Sequence, residues 1–450
     1  MIEMHTPLLI IGAGPGGYET ALLAARRGME TTVIEAAEVG GTCLNAGCIP
    51  TKALCRSAEI AEEFSKAGQF GFTAEGWKMD FQAVMRRKNE VVCQLRGGVE
   101  TLLDNPKTRL VRGEARFTDA HTVEAGGETF TADNIIIATG SVPAALPISG
   151  NGLPGVLTST GLLDIEEVPR RLCVIGAGVI GLELASVFSA FGSEVTVLEY
   201  AKEVLPRFDT DIAKRLRQAL GKRGIEIATQ AEVTGITAGN GTLAVAYTRK
   251  GKECSAEADK VLMAVGRRPN LGSLNLDEIG IAYTRKGITV DGEMRTNIPH
   301  IYAIGDINGI NMLAHVATAQ GVRALDAICG KEDNRMRMDV VPSAVFTMPE
   351  AATVGLTEDD CRERGIDFTV SKSFFRANGK AVCMGETDGL CKIVSDAGGR
   401  LLGCHLLGAH SADIVQEAAA LITAGATVAD LRRTIHAHPT LSEVLHAAAE

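Results

Sequence analysis

Two cysteines and a lysine, Cys43, Cys48 and Lys52, lie in one short stretch of the chain. Two thiols at this spacing can close as a disulfide and open again. Residues five apart in a regular helix are held about 8–9 Å apart, beyond the roughly 7 Å that separates the Cα atoms of a disulfide, so the cysteines are not expected inside one regular helix. Pro50 is tolerated only in a first helical turn, which predicts a helix that begins near Cys48 after a bend at Gly47. A thiolate is favoured at such a helix end.

This cysteine pair alone is open to two other interpretations. Free cysteines are often buried in protein interiors, so both thiols could simply pack in a core. A zinc site is less favoured, because no second pair of ligands follows at the spacing typical of zinc motifs. No metal ligand is therefore predicted, and the surrounding sequence has to decide between a structural and a redox role.

A second pair with chemical potential, His438 and Glu443, lies near the end of the sequence. An imidazole is the side chain best suited to proton transfer near neutrality, and a carboxylate on one ring nitrogen would orient the other nitrogen toward a reacting group. Pro439 would fix His438 at the entrance of a helix. A surface turn histidine is the alternative, and this is the description expected for His436 and His446.

The segment before the cysteines has the pattern of a dinucleotide-binding fold. The apolar residues 8–11 precede the sequence Gly-Ala-Gly-Pro-Gly-Gly, an alanine-rich helical stretch and a second apolar run that ends in an acid. In such a fold the glycines allow a tight turn and close approach of a pyrophosphate to a helix N-terminus, and the acid binds a ribose hydroxyl. The residues predicted to bind this cofactor are Gly12, Gly14, Gly17 and Glu35.

The same pattern recurs further along the chain with the same interval from first glycine to acid. Its predicted cofactor contacts are Gly176, Gly178, Gly181 and Glu199. Because its glycines and its acid are intact, a second nucleotide site is favoured over a degenerate structural repeat. Glu199 favours NAD, since a carboxylate accepts a free ribose 2′-hydroxyl but repels the 2′-phosphate of NADP. Two nucleotide sites beside a thiol pair suggest electron transfer between two cofactors and sulfur.

Composition limits the partners of the chain. Its 450 residues are 46% hydrophobic and carry a formal net charge of −10. This predicts several domains and argues against nucleic acid or an anionic membrane as the main partner. The eleven cysteines, an odd number without a regular framework, fit a reducing compartment such as the cytoplasm.

Later strand-like runs end at residues suited to ligand contact or domain crossing. Residues 134–138 lead to Thr139 and Gly140, a corresponding run leads to Gly266, and a third ends at Asp306. Taken with the earlier motifs, these segments resemble the pyridine nucleotide–disulfide oxidoreductase family over essentially the whole chain. The motifs that carry the resemblance are the two fingerprints, Gly-Gly-Thr-Cys43-x4-Cys48-Ile-Pro-x-Lys52, Ala-Thr-Gly140, Gly266-Arg-x-Pro-Asn270, Gly305-Asp306 and His438-Pro-Thr-x-x-Glu443.

This resemblance implies an α/β fold class with two Rossmann-like dinucleotide-binding domains, one for FAD and one for NAD, and an α+β C-terminal interface domain. The expected boundaries are 1–145 for the first part of the FAD domain, 146–266 for the NAD domain, 267–335 for a central second part of the FAD domain and 336–450 for the dimerisation domain. Residues 331–338 are a plausible charged linker.

The resemblance also implies roles for particular residues. The first fingerprint with Glu35 would hold the adenosine half of FAD, and Asp306 its ribityl chain; Glu199 would hold the NAD ribose. The remaining cofactor contacts are expected at Thr42, Lys52, Thr139, Gly140 and Gly266. Cys43 would meet the substrate and Cys48 the flavin, while Lys52 would lie near the flavin and pair with Glu183. His438, oriented by Glu443, would act as a base on the disulfide of a second subunit.

Within the family, the resemblance is greatest to the members that oxidise dihydrolipoamide for 2-oxo acid dehydrogenase complexes and the glycine cleavage system. The expected partners are therefore lipoyl groups on carrier proteins or acyltransferase subunits and a second copy of the chain. Alternatives are a glutathione-type or mercuric reductase, or a non-catalytic flavoprotein assembly subunit. The segment 308–311 departs from the turn expected there, which concerns the pocket and not the class.

Overall fold

The helices and strands of the chain follow the two repeats and the C-terminal segment in order. The computed structural model describes residues 3–73, 76–239, 241–331 and 336–450. In these ranges the helices are α1 (Pro15–Arg26), α2 (Gly41–Ala46), α3 (Cys48–Lys66), α4 (Phe81–Leu103), α5 (Ser159–Leu162), α6 (Val179–Ala190), α7 (Thr210–Lys222), α8 (Ala314–Ile328), α9 (Glu358–Arg364), α10 (Gly379–Met384), α11 (Ser411–Thr423), α12 (Val428–Arg433) and α13 (Glu443–Ala449).

The strands of the described ranges are β1 (Glu3–Ile11), β2 (Thr31–Glu35), β3 (Thr108–Arg112), β4 (Arg116–Asp119), β5 (Thr122–Ala125), β6 (Glu128–Ile137), β7 (Ser141–Pro143), β8 (Val156–Leu157), β9 (Arg171–Ile175), β10 (Glu194–Glu199), β11 (Glu226–Thr229), β12 (Ala231–Gly239), β13 (Thr242–Arg249), β14 (Lys252–Ala258), β15 (Lys260–Met263), β16 (Arg267–Pro269), β17 (Tyr283–Thr284), β18 (Gly287–Ile288), β19 (Ile301–Ala303), β20 (Ser343–Val345), β21 (Ala351–Gly355), β22 (Phe368–Phe374), β23 (Leu390–Asp396) and β24 (Leu401–Leu407).

The first compact unit consists of Met1–Ala53, Met85–Ala144 and Gly266–Met336. Its main sheet has the order β3-β2-β1-β6-β5-β4, with β19 also paired to β6. Strand β1 pairs in parallel with both β2 and β6, so the carboxyl ends of these strands meet at one edge, where a nucleotide binds in such folds. Buried aliphatic side chains cover both faces of the sheet.

The second compact unit consists of Leu54–Val84, Ala145–Val265 and Arg337–Glu450. It contains a parallel sheet in the order β11-β10-β9-β15-β8 and an antiparallel sheet in the order β12-β13-β14. A further antiparallel sheet, in the order β20-β21-β24-β23-β22, packs against α11 and α13 around a separate apolar core.

This architecture confirms the predicted fold class, with a doubled nucleotide-binding fold and an α+β C-terminal part. The four predicted domain boundaries stay a prediction, and residues 332–335 of the predicted linker lie outside the described residues. Among the helices of the described residues, none has both the length and the apolar character needed to cross a membrane.

A buried ion cluster stabilises the second unit. The Lys392 ammonium lies 2.8 Å from Asp209 and 3.2 Å from Asp211, and it also pairs with Glu358. The side chains of Lys392 and Asp209 are each only 2% exposed. Asp209 also caps α7 by accepting the N–H of Asp211 at 3.0 Å, so one carboxylate links the start of α7 to the strand β23.

Candidate functional site: two nucleotide loops, a dithiol and a histidine dyad

The first glycine loop joins β1 to α1 by a turn that a side chain would block. Gly12 has a φ of +105°, and a Cβ atom there would lie 2.4 Å from the carbonyl oxygen of Ala138. A Cβ atom at Gly17 would lie 1.8 Å from the carbonyl oxygen of Gly12. Helix α1 follows with Gly14 at its N-cap and no side-chain cap, so its first N–H groups are placed to receive an anion.

The acid at the end of β2 is held against this loop. The Glu35 carboxylate accepts the backbone N–H of Ala13 at 2.6 Å and that of Ala37 at 2.8 Å. These two bonds fix the carboxylate beside the turn, which is the position the fingerprint predicts for a ribose contact.

The second loop repeats this geometry. Gly176 also has a φ of +105°, and a Cβ atom at Gly181 would lie 2.0 Å from the carbonyl oxygen of Gly176. Gly178 is the N-cap of α6, again without a side-chain cap. The Glu199 carboxylate accepts the N–H of Ala177 at 2.6 Å and that of Ala201 at 2.7 Å.

The cysteines lie on either side of a break between two helices. Cys43 is in α2, which ends before Gly47, and α3 begins at Cys48, so the predicted helix start is confirmed. A Cβ atom at Gly47 would lie 2.9 Å from the carbonyl oxygen of Thr42. The break therefore depends on a residue without a side chain, and it removes the helical spacing that would keep the two thiols apart.

Both cysteines are in the reduced thiol form, and the side chains of Cys43 and Cys48 are hydrogen-bonded to each other. This hydrogen bond and burial raise the pKa of the Cys43 thiol far above its usual range, while the charge of Lys52 opposes the rise. Cys43 is half-buried and Cys48 is exposed. The arrangement is that of a reduced, hydrogen-bonded dithiol with an ammonium group close enough to act on it.

A polar network lies beside the dithiol. Ser141 donates to Asp306 at 2.5 Å, and Arg267 donates to Ser141 Oγ at 2.7 Å and to Thr42 Oγ1 at 3.4 Å. Burial lowers the pKa of Arg267, whereas the charges of Asp306 and Cys48 raise it. Thr42 and Asp306 were predicted to contact a cofactor; Arg267 and Ser141 were not, although Arg267 follows Gly266 within a motif already identified.

The predicted contacts Thr139, Gly140 and Gly266 lie directly before the two strands of the ribbon formed by β7 and β16. Thr139 Oγ1 donates to the carbonyl of Asn270 at 3.1 Å, and the N–H of Asn270 donates to the carbonyl of Gly140 at 3.0 Å. The carbonyl of Gly266 accepts the N–H of Ala144 at 3.0 Å. These bonds join, within the first unit, the two strand ends that the sequence predicts as crossing points between domains.

Glu183 is buried on α6, and its carboxylate accepts the N–H of Phe346 at 3.0 Å. Glu183 belongs to the second unit and Lys52 to the first. The predicted pairing of these two residues stays a prediction.

The structure brings His438 and Glu443 together. His438 Nδ1 lies 2.9 Å from Glu443 Oε1, and Glu443 Oε2 accepts the N–H of Thr440 at 2.8 Å. These two contacts, that of Thr440 first, lower the pKa of Glu443. The His438 side chain is 76% exposed. A carboxylate held in its charged form orients the ring and leaves Nε2 facing outward, as a general base requires.

The expectation that His436 is a surface turn histidine is wrong. Its side chain is only 7% exposed, and its Nε2 lies 2.9 Å from Glu417 Oε1. Glu417 lies on α11, 19 residues earlier, so the neighbouring sequence of His436 gives no sign of this contact. His446 is not a turn residue either: it lies on α13, partly exposed, with its Nε2 3.7 Å from Glu450.

The residues present fit two dinucleotides. Each glycine loop is closed to a side chain and open to a phosphate, each helix offers uncapped N–H groups, and each strand ends in a fixed carboxylate. FAD would be held by the first loop with Glu35 and by the Asp306 network, and NAD by the second loop with Glu199.

Comparison with known proteins identifies the class. Residues 6–321 match the pyridine nucleotide-disulphide oxidoreductase family, and residues 341–449 match the dimerisation domain of that family. The chain belongs to this family. It is a flavin disulfide oxidoreductase that uses FAD and NAD(H), and the dimerisation domain supports a homodimer.

Relatives that match nearly the whole chain show which members of the family it is similar to. The chain is 41% identical over 453 residues to the dihydrolipoyl dehydrogenase of Geobacillus stearothermophilus, covering 99% of this chain and 96% of the relative. It is 42% identical over 454 residues to the dihydrolipoyl dehydrogenase of Bacillus subtilis strain 168, with the same coverage. A solved structure of the HOCl-induced flavoprotein disulfide reductase RclA from Escherichia coli superposes with a TM-score of 0.88 at 33% identity, covering 98% of this chain and 99% of that one.

Proposed function

We propose that this enzyme oxidises dihydrolipoamide, carried as lipoyl groups on carrier proteins or acyltransferase subunits, and reduces NAD⁺. The observation that carries the proposal is the hydrogen-bonded dithiol of Cys43 and Cys48 at the start of α3, in a chain similar over its whole length to dihydrolipoyl dehydrogenases. The 2-oxo acid dehydrogenase complexes and the glycine cleavage system are the expected settings. We propose the cytoplasm as its location, because eleven cysteines without a regular framework fit a reducing compartment.

The first step is thiol–disulfide exchange. His438 takes a proton from one thiol of the substrate, and the resulting thiolate attacks Cys43 Sγ of the Cys43–Cys48 disulfide. Cys48 leaves as a thiolate at the N-terminus of α3, where the helix dipole favours negative charge. His438 passes its proton to Cys43 as Cys43 leaves and takes the proton of the second substrate thiol, whose sulfur closes the cyclic disulfide, so that both cysteines are reduced.

The two cysteines differ in their surroundings, which supports a division of labour. The charge of Cys48 raises the pKa of Arg267, so the two side chains lie near each other. Arg267 belongs to the network that contains Asp306. Cys48 therefore lies on the side of the predicted FAD contacts. When bound, FAD would supply a two-electron acceptor between this dithiol and NAD⁺.

The base is proposed to act on the disulfide of the partner subunit. His438 is highly exposed and oriented by Glu443, and the segment that carries it lies in the family's dimerisation domain. An exposed, oriented imidazole in that domain can complete a site across a dimer interface.

The test is turnover by the FAD-loaded protein. Dihydrolipoamide with NAD⁺ is expected to yield NADH and, before NAD⁺ is added, a long-wavelength absorbance from a thiolate beside the flavin. Glutathione disulfide with NADPH is the matched comparison and is expected to give no turnover. Reduction of the flavin by dithionite but not by dihydrolipoamide would contradict the proposal.

A further inference from the structure

The loop that carries the proposed base, residues 434–442, contains two histidines in contrasting environments. His438 is 76% exposed, with its Nδ1 2.9 Å from Glu443 Oε1. The His436 side chain is 7% exposed, with its Nε2 2.9 Å from Glu417 Oε1. Two histidines in the same loop thus each have a glutamate, but one ring faces outward and the other is buried.

The buried ring is held at both nitrogens. His436 Nδ1 lies 3.1 Å from the carbonyl oxygen of Thr434, while Nε2 lies against Glu417 on α11. This fixes the start of the loop to a helix whose apolar face packs in the core of the C-terminal sheet. The far side of the loop is fixed by Asn378, which donates to the carbonyl of Thr440 at 3.0 Å.

His436 also lies close to the base dyad itself. Its charge is one of the influences that lower the pKa of Glu443, after the contacts with Thr440 and His438. The ring of His446 lies 5.5 Å from that of His436. Glu417, His446 and Glu443 are therefore the titratable groups that face His436 from α11 and α13.

We propose that His436 and Glu417 form a positioning dyad for the reaction assigned above to His438. The pair pins the loop to α11 and so sets where the His438 ring stands, without contacting substrate. This inference rests on the proposed function of His438 as base. A small misplacement of a base slows proton transfer while leaving substrate binding largely intact.

The experiment uses FAD-loaded protein and measures the rate at which dihydrolipoamide reduces the bound flavin. His436→Gln and Glu417→Gln are each expected to slow reduction about tenfold, a fraction of the ~10²–10⁴-fold contributed by a general base, with less than about a twofold change in KM. NADH-driven reduction of ferricyanide, which needs no thiol base, is expected to be unchanged. His410→Asn is the control, because His410 also faces a carboxylate of α11, 3.8 Å away at Asp413, and its rate is expected to match wild type.

The decisive measurement is a double-mutant comparison. In a His438→Gln background, His436→Gln is expected to change the rate by less than about twofold, because a residue that acts through another has no effect once the other is gone. An equal loss in both backgrounds, or an undiminished rate in the single variants, would overturn the proposal. If His436→Gln fails to fold, Glu417→Gln carries the same comparison.

The outcome for the proposed function is read separately. A wild-type protein that is not reduced by dihydrolipoamide contradicts the proposed substrate. Dithiothreitol then serves as the reducing dithiol, and the same comparison of variants decides whether His436 positions His438.

Discussion

The two glycine loops are nearly identical in backbone but lead into different segments of the chain. Gly12 and Gly176 share a φ of +105°, and Glu35 and Glu199 each hold the N–H groups of the loop and of the residue two positions on. After Glu35 the chain enters the break that carries the dithiol. After Glu199 it passes the 75% exposed Tyr200 and reaches α7, whose cap Asp209 lies in the buried ion cluster.

The loops thus carry the features expected for nucleotide binding, and the segments after them differ in what they place beside the nucleotide. The same fold occurs twice in the chain. The first copy is followed by the dithiol, and the second is followed by a helix that an ion pair joins to the C-terminal sheet. The role of each copy is thus read from its neighbours and not from the glycines. Substitutions that separate the two copies test this division.

The largest loss of activity is expected from a substitution in the dithiol that follows the first copy. Cys48→Ser cannot form the Cys43–Cys48 disulfide, so NADH formation from dihydrolipoamide is expected to fall by at least ~10³-fold, the scale on which loss of a nucleophile acts. FAD content and NADH–ferricyanide activity are expected to persist. Absorbance and steady-state rates measure both, and loss of the flavin would mean that Cys48 supports binding as well as chemistry.

A large loss of stability is expected from the ion cluster beyond the second copy. Lys392→Met leaves the buried Asp209 without its cation, which costs about 3–5 kcal/mol of unfolding free energy. Lys372→Met is the matched control, since that lysine is 38% exposed beside Asp211 and exposed pairs contribute about 1 kcal/mol or less. Denaturant unfolding followed by circular dichroism gives both values, and equal losses would contradict the special role of Lys392.

A matched pair of substitutions compares the two carboxylates directly. Glu199→Ala removes hydrogen bonds to a charged group worth about 1.5–3 kcal/mol, so the KM for NAD⁺ is expected to rise about tenfold or more while FAD stays bound. Glu35→Ala is expected to lower the affinity for FAD by a similar factor. Released flavin and steady-state kinetics distinguish the two, and a Glu199→Ala protein that loses FAD would refute the assignment of the loops.

The smallest expected effect is an acid dependence at Asp211, on the helix α7 that follows the second copy. Lys372, and then Lys392, lower the pKa of Asp211 from 3.8 to about 2. Because the folded-state pKa is depressed, this stabilisation is present above about pH 4 and is lost as the pH falls toward 2. The difference in unfolding free energy between wild type and Asp211→Asn is therefore expected to shrink across that range. Asp413→Asn, at an 89% exposed carboxylate, serves as the control, and a gap that stays constant would count against the ion pairs.

Local patterns in the sequence predict much of this molecule, and long-range contacts are what they miss. The glycine spacing predicts both nucleotide folds, and Pro50 with Gly47 predicts the helix that starts at Cys48. The network of Ser141, Asp306 and Arg267 joins residues 126 and 165 positions apart, and no local pattern encodes such a contact. The contact of His436 is missed for the same reason, because its partner lies on another helix.

The bonds made by Glu35 and Glu199 bear on the entropy of cofactor binding. Each carboxylate oxygen that accepts a loop N–H has a second lone pair left for a ribose hydroxyl. The loop is thus already ordered in the folded chain, so nucleotide binding does not include the entropy cost of ordering it. Both nucleotides meet preorganised sites, so their affinities are set by contacts and desolvation and not by loop closure.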